Sequence, residues 1–244
     1  PNIKNKGDDT ALMVAAYFGY PAAIKALLAN ARTDPNIQCK NSLTALILAA
    51  TLGNIPVVIA LLANARTDPN IQCKNGLTAL IGAATLGNTP VVTALLANAH
   101  TDPNIKNKGD DTALMLAAGN GHSKTITALL ANERTEPNIQ KKSGGYTALI
   151  IAANKEYTAA IAALLADERT EPNIQDKNGY TALILAASLG HKAAIIALLA
   201  NARTDPNIKN KGDDTALMVA AYFGYPAAIK ALLANARTDP NIQC

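Results

Sequence analysis

The chain has 244 residues, of which 49% are apolar, only 4% aromatic and 16% charged, with no Trp. That is ample material for a core of Ala, Leu, Ile and Val, and it excludes an intrinsically disordered chain. A formal charge of +4 is too small to mark a nucleic-acid binder. Three cysteines exclude a disulfide-dense scaffold and point to a reducing, cytoplasmic compartment, and no apolar run reaches the ~18 residues of a membrane span.

From its amino end the chain opens on a polar turn through Lys6, Asp8 and Asp9 and reaches Thr10, which begins the first of seven Thr-Ala-Leu triplets. The others begin at Thr44, Thr78, Thr112, Thr147, Thr181 and Thr215, at spacings of 34, 34, 34, 35, 34 and 34 residues. A fixed period of this size signals stacked repeats. Within each repeat the threonine supplies an N-cap hydroxyl. The apolar residues after it, such as 182–189, make about two turns of a first helix, which a glycine such as Gly190 ends. A second helix follows, as at residues 193–200, with Pro21, Pro56, Pro90 or Pro226 in its first turn, where a missing N–H costs little. Asn30, Asn64, Asn98, Asn132, Asn201 and Asn235 come next, a residue type suited to a left-handed cap. Asp-Pro-Asn or Glu-Pro-Asn then opens an extended loop. A repeat of this length cannot bury its own apolar faces, so neighbours must stack. The predicted fold class is all-α: a helix-turn-helix-loop solenoid of seven stacked repeats, forming a single array over residues 1–244.

The fifth repeat departs from the pattern. Ser143-Gly144-Gly145 adds a residue, and Glu156 replaces the glycine that ends the first helix. A side chain in left-handed conformation there costs about 1 kcal/mol, so this repeat is expected to be the softest. Residues 1–39 are identical to residues 206–244, and repeats two and three differ at a handful of positions, among them Leu48/Gly82, Ile55/Thr89 and Ile59/Thr93. Terminal repeats carry polar outer faces that differ at the two ends. One sequence at both ends therefore reads as an excised stretch of a longer array: a monomer whose uncapped termini permit end-to-end stacking.

The pattern Gly-x-Thr-Ala-Leu-x-x-Ala-Ala-x-x-Gly-His, followed by Leu-Leu and an Asp-x-Asn-type loop, resembles the ankyrin repeat over the whole chain. Two departures stand out. Met13, Ile47, Ile81, Met115, Ile150, Ile184 and Met218 replace the family's histidine after Thr-Pro-Leu, and the loop is one residue longer. The resemblance implies a non-catalytic scaffold for a protein partner, which would meet the loop tips and the exposed positions late in each first helix. Carried onto this sequence, those positions are Tyr17-Phe18, Thr51-Leu52, Thr85-Leu86, Gly119-Asn120, Asn154-Lys155, Ser188-Leu189 and Tyr222-Phe223. The row is aromatic at both ends, aliphatic in repeats two, three and six, and polar in four and five. Leu52, Leu86 and Leu189 either face a partner or close the core between helices. The high identity between repeats suits an alternative role, an architectural spacer or spring with no dedicated ligand.

Periodic rows of charge carry the remaining chemistry. Arg32, Arg66, His100, Arg134, Arg169, Arg203 and Arg237 share one position, and Asp34, Asp68, Asp102, Glu136, Glu171, Asp205 and Asp239 follow two residues later. These rows are expected to give inter-repeat ion pairs and turn acceptors. Lys6, Lys40, Lys74, Lys108, Lys142, Lys177 and Lys211 form a second row at the loop tips, interrupted by Asp8-Asp9, Asp110-Asp111 and Asp213-Asp214. That interruption, without interleaved aromatics, argues against a nucleic-acid groove. The Asp pairs supply too few oxygens for calcium and read as solvated turn residues. Cys39, Cys73 and Cys244 share one loop position in repeats about 10 Å apart, too far for a disulfide, and lack zinc spacing; Cys244 at the end could link two chains. His100, His122 and His191 have no unique companion, whereas catalysis needs one asymmetric constellation. The sequence predicts no enzyme, no metal and no cofactor.

Overall fold

The computed structural model describes residues 2–242; among these are fourteen helices and no strand. In chain order they are α1 (Ala11–Phe18), α2 (Pro21–Leu28), α3 (Ala45–Thr51), α4 (Ile55–Leu62), α5 (Ala79–Thr85), α6 (Thr89–Leu96) and α7 (Ala113–Gly119). Then follow α8 (Ser123–Leu130), α9 (Ala148–Asn154), α10 (Thr158–Leu165), α11 (Ala182–Ser188), α12 (Lys192–Leu199), α13 (Ala216–Tyr222) and α14 (Pro226–Leu233). Each of the seven predicted repeats holds two. Cys244 lies outside the described residues.

The first helix of every repeat starts on its threonine. Thr44 is extended, at φ −92° and ψ 166°, and its hydroxyl accepts the Ile47 N–H at 3.2 Å. Thr10, Thr78, Thr112, Thr147, Thr181 and Thr215 accept from the residue three places on in the same way. Each hydroxyl satisfies one of the N–H groups that a helix start leaves without a partner. The helix closes at a left-handed residue: Gly53 has φ 73°, and the Asn54 N–H reaches back to the Ala49 carbonyl at 2.9 Å. In the fifth repeat Glu156 takes that conformation, at φ 56°. Its Oε1 accepts the Ala193 N–H in the first turn of α12 at 3.1 Å, so the unfavourable backbone comes with an added cap on the next repeat.

The second helix ends differently from the sequence expectation. Among the described residues no asparagine has positive φ, and Ala63 keeps the right-handed conformation at φ −65°. Asn64 instead offers Oδ1 to the Arg66 N–H at 3.0 Å, and the Thr67 hydroxyl donates back to the Leu61 carbonyl at 2.7 Å. Local side-chain bonds thus satisfy groups a left-handed residue would otherwise turn inward.

The helices gather into two compact units, residues 1–117 with 131–135 and residues 118–130 with 136–244. In the first unit α1 packs on α3 and α3 on α5, while α2 packs on α4 and α4 on α6. The second unit repeats the scheme through α9, α11 and α13 and through α8, α10, α12 and α14. Small residues allow the first helices to approach: Ala49, Ala50, Ala83 and Ala84 are fully buried. A Cβ added at Gly82 would stand 2.8 Å from Thr51 Cγ2. Val57, Val58 and Leu61 then fill the layer beside the second helices. Close-packed aliphatics do here what aromatic residues do in thicker cores.

Candidate functional site

Two ladders of side chains hold the loops in register. Asn36 Nδ2 donates to the Arg66 carbonyl at 2.8 Å while its Oδ1 accepts the Asp68 N–H at 2.9 Å. Asn70 bridges His100 and Asp102 at 2.7 and 2.8 Å, and Asn207 bridges Arg237 and Asp239 at 2.8 and 2.9 Å. The carboxamide, with one donor and one acceptor side by side, mimics a peptide group and pairs with the next loop's backbone. The second ladder runs nearer the tips. Gln38 Nε2 donates to the Gln72 carbonyl at 2.9 Å and to the Ser42 carbonyl at 2.8 Å, and Gln72 repeats this on Lys106 and Gly76.

Where lysine takes the glutamine's place, the tip changes with it. Lys4 Nζ donates to the Gln38 carbonyl at 2.8 Å and stands 3.2 Å from the Asp8 carboxylate. Lys106 and Asp110 are likewise 3.2 Å apart. Asp8 and Asp110 are left-handed turn residues, at φ 69° and 64°, and each pairs in addition with a lysine of its own tip. The tip lysines are exposed in all seven repeats. The backbone N–H groups of Lys74 and Lys108 donate to the Asn41 and Asn75 carbonyls of the preceding tips at 3.3 and 3.2 Å.

The expected inter-repeat ion pairs of the arginine row give way to backbone bonds. Arg66 Nη1 donates to the Ala31 and Thr33 carbonyls at 2.6 and 2.8 Å, in the loop after the preceding repeat's second helix. Arg134, Arg203 and Arg237 make the same pair of bonds. A guanidinium suits this place because its forked donors meet several carbonyls at a helix C-terminus, where positive charge is favoured. The acidic row supplies turn acceptors as expected: Asp34 Oδ1 accepts the Asn36 N–H at 2.9 Å, and Asp68 accepts that of Asn70. Arg169 differs by adding a forked pair to Asp167, at 3.0 Å from Nε and 2.6 Å from Nη2. The Arg169 side-chain bond holds the Asp167 carboxyl below the usual carboxylate range, opposed by partial burial and helped by the Arg169 N–H and the Arg203 charge.

The proposed contact row separates into two positions. Phe18, Leu52, Leu86, Asn120, Lys155, Leu189 and Phe223 are exposed in every repeat, so Leu52, Leu86 and Leu189 do not close the core. The preceding position depends on size. Tyr17 and Tyr222 are exposed, whereas Thr51, Thr85 and Ser188 are half-buried and donate their hydroxyls to carbonyls of their own helices. Those three are structural before they are surface residues. Tyr17 and Phe18 meet edge to face at 5.2 Å, and Phe18 stacks with Tyr20 at 6.1 Å. Beside them lies a groove of about 530 Å³, lined by Val14, Tyr17, Phe18, Lys40, Leu43 and Leu48. Val14, Tyr20 and Leu48 were missed from the sequence. Val14 and Leu48 precede the chosen pairs by one helical turn, and that spacing was the available signal.

The family model for ankyrin repeats in three copies matches residues 12–107, 83–170 and 154–244. No curated protein is a significant match. Among solved structures, the ankyrin repeat domain of Bcl-3, described as a unique member of the IkappaB protein family, is 24% identical with a TM-score of 0.84. That match covers 93% of this chain and all of that one. The human ASB11 ankyrin repeat domain is 23% identical at a TM-score of 0.72, over 96% of this chain and all of its own. Both carry the fold alone. A chain from the complex of the predatory endopeptidase Bd0816 of Bdellovibrio bacteriovorus with the immunity protein Bd3460 is 29% identical at 0.65, covering 81% of this chain and 99% of that one. Capped helix pairs, packed on alanine and tied by loop ladders within each unit, agree with the family match over nearly the whole sequence: the chain belongs to the ankyrin-repeat family.

Proposed function

We propose that the chain is a non-catalytic scaffold whose seven repeats act as one array and bind a protein partner through the first-helix ends and loop tips. The observation that carries this reading is the exposure of Tyr17, Phe18, Leu52 and Leu86 while the alanines and leucines beside them are fully buried. Aromatic and aliphatic anchors rimmed by polar groups are what protein interfaces use, and Lys40 and Lys74 supply such a rim. Family membership supports the reading, since ankyrin repeats serve generally as protein-interaction modules. Its test is affinity capture with identification of the bound protein, comparing the parent with a variant carrying Ser at Tyr17, Leu52, Leu86 and Leu189. Loss of that protein by a variant with an unchanged circular dichroism spectrum is expected. Retention by the folded variant overturns the surface.

The ladders favour a second reading, an architectural spacer. Asn36, Asn70 and Asn207 make the same two bonds in each case, which keeps repeats in register whatever their surfaces carry. This reading predicts that parent and row variant behave alike in every capture.

A further inference from the structure

Building on the reading that a protein partner meets the first-helix ends and loop tips, we infer that its segment against the second and third repeats is acidic, with apolar side chains set among its carboxylates. The charge at the tips of the first unit is uneven. The first tip balances Lys4 and Lys6 against Asp8 and Asp9, and the fourth balances Lys106 and Lys108 against Asp110 and Asp111. Between them lie residues 35–101, whose only carboxylate is Asp68. That carboxylate is taken up in the turn after α4, where it accepts the Asn70 N–H at 2.9 Å. Lys40 and Lys74 are exposed, and neither has an acid in its own tip. Asp9, which lines one groove with Lys40, is offset by Lys6 of its own tip. Positive charge is therefore concentrated over the second and third repeats.

The chemistry of the rungs is the cause. A lysine rung such as Lys4 stands 3.2 Å from the aspartate four residues on, so it brings an acid to its tip. An amide rung needs none: Gln38 meets the Ser42 carbonyl and Gln72 the Gly76 carbonyl, at 2.8 and 2.6 Å. A tip lysine beside an amide rung is left unbalanced. The helix ends of the same two repeats complete the surface. Leu52 and Leu86 are 53% and 56% exposed. The hydroxyls beside them are turned back on their own helices, Thr51 to the Ile47 carbonyl at 2.9 Å and Thr85 to that of Ile81 at 2.7 Å. Each repeat thus offers an exposed leucine and an exposed ammonium, and the pair recurs one repeat on, at the ~10 Å spacing of packed helices. A nucleic acid would answer the charge and waste the leucines; a purely apolar segment would do the reverse. A segment that alternates carboxylates with apolar side chains answers both, and the uncompensated lysines repel a basic one.

Selection of a random peptide library displayed on phage against the immobilised full chain tests this. The selected peptides are expected to be rich in Asp and Glu with Leu, Ile or Phe among them, and to bind less tightly as salt is raised. By fluorescence anisotropy their affinity is expected to fall about tenfold with Lys40→Glu plus Lys74→Glu, and about tenfold with Leu52→Ser plus Leu86→Ser. Lys25→Glu with Lys230→Glu makes the same change of charge on second helices and is expected to leave affinity within about threefold of the parent. All six positions are exposed, so none of these variants disturbs the core. Peptides that need the leucines but not the lysines, or that carry no excess of acid, overturn the acidic partner and leave the scaffold reading in place. Peptides that need the lysines but not the leucines mark a surface for polyanions in general and overturn it too, as does a library that yields no binder. Equal binding by the parent and both surface variants overturns the contact row on which the scaffold reading stands.

Discussion

Lys4 and Asp8 are coupled across a single tip: the ammonium stands 3.2 Å from the carboxylate while donating to the Gln38 carbonyl at 2.8 Å. In the third repeat Gln72 fills both roles with one amide, reaching Gly76 at 2.6 Å and Lys106 at 2.9 Å. The two kinds of tip are not interchangeable. Gly76 has φ 77°, and a Cβ there would lie 2.6 Å from the Lys108 nitrogen. Writing the first tip into the third, by Gln72→Lys with Gly76→Asp, is expected to lower stability by about 1–3 kcal/mol. The reverse exchange, Lys4→Gln with Asp8→Gly, is expected to change it by less than about 1 kcal/mol. Urea unfolding of the two double variants decides between them.

Arg66 acts as a backbone clamp, so charge alone does not replace it. Arg66→Lys keeps the charge but cannot span the Ala31 and Thr33 carbonyls with a fixed fork, and is expected to cost about 1–2 kcal/mol. If an ion pair to the acidic row were the source of stability, Arg66→Lys would be near neutral in the same unfolding measurement.

Glu156 combines an unfavourable backbone with a favourable cap. Glu156→Ala keeps the left-handed residue and loses the bond to Ala193, so a loss of about 1 kcal/mol is expected. Glu156→Gly loses the same bond but relieves about 1 kcal/mol of backbone cost, and is expected to be nearly neutral. Amide exchange in α9 faster than in α3 and α5 is the expected mark of a softer fifth repeat. Equal protection would contradict it.

Asp167 supplies the pH dependence. Its carboxyl is held below the ordinary range, so its contribution is fully present above about pH 4 and is lost as pH falls through the depressed value. Asp167→Asn restores the amide found at this position in repeats two and six, where Asn64 and Asn201 accept the arginine N–H. The stability difference between parent and Asp167→Asn is expected to be constant near neutrality and to shift only in acid, towards the variant. A difference independent of pH down to full protonation would show that Asp167 has no such role.

Much of the fold was legible because its rules are local. Thr10 and its counterparts cap by reaching three residues ahead, Pro56 sits in the first turn of α4, and a left-handed residue ends each first helix even where it is Glu156. The ladders were not legible, since Asn36 and Gln38 meet partners 30 to 34 residues away and local chemistry allows either residue several other uses. For the same reason the sequence suggests a left-handed cap at Asn64, which is a turn acceptor, and inter-repeat ion pairs for an arginine row whose inter-repeat partners are carbonyls. At the candidate surface, the family resemblance pointed to Leu52 and Leu86, but only packing separates them from Thr51 and Thr85. A periodic sequence places residues of both kinds at equivalent positions and does not say which is turned inward.

The extra residue of the fifth repeat lies between two rungs. Gln140 still bonds a tip carbonyl, now Gly145 at 2.7 Å and five residues away, and Lys177 still meets the preceding tip at Gly144. The cross-bond from Gln140 to the Gln175 carbonyl keeps its 2.9 Å length. The tip thus works as an expansion joint: length added there is taken up within one turn and never reaches the helices. Such a protein can vary what it displays at its edge while the spacing of its frame stays fixed.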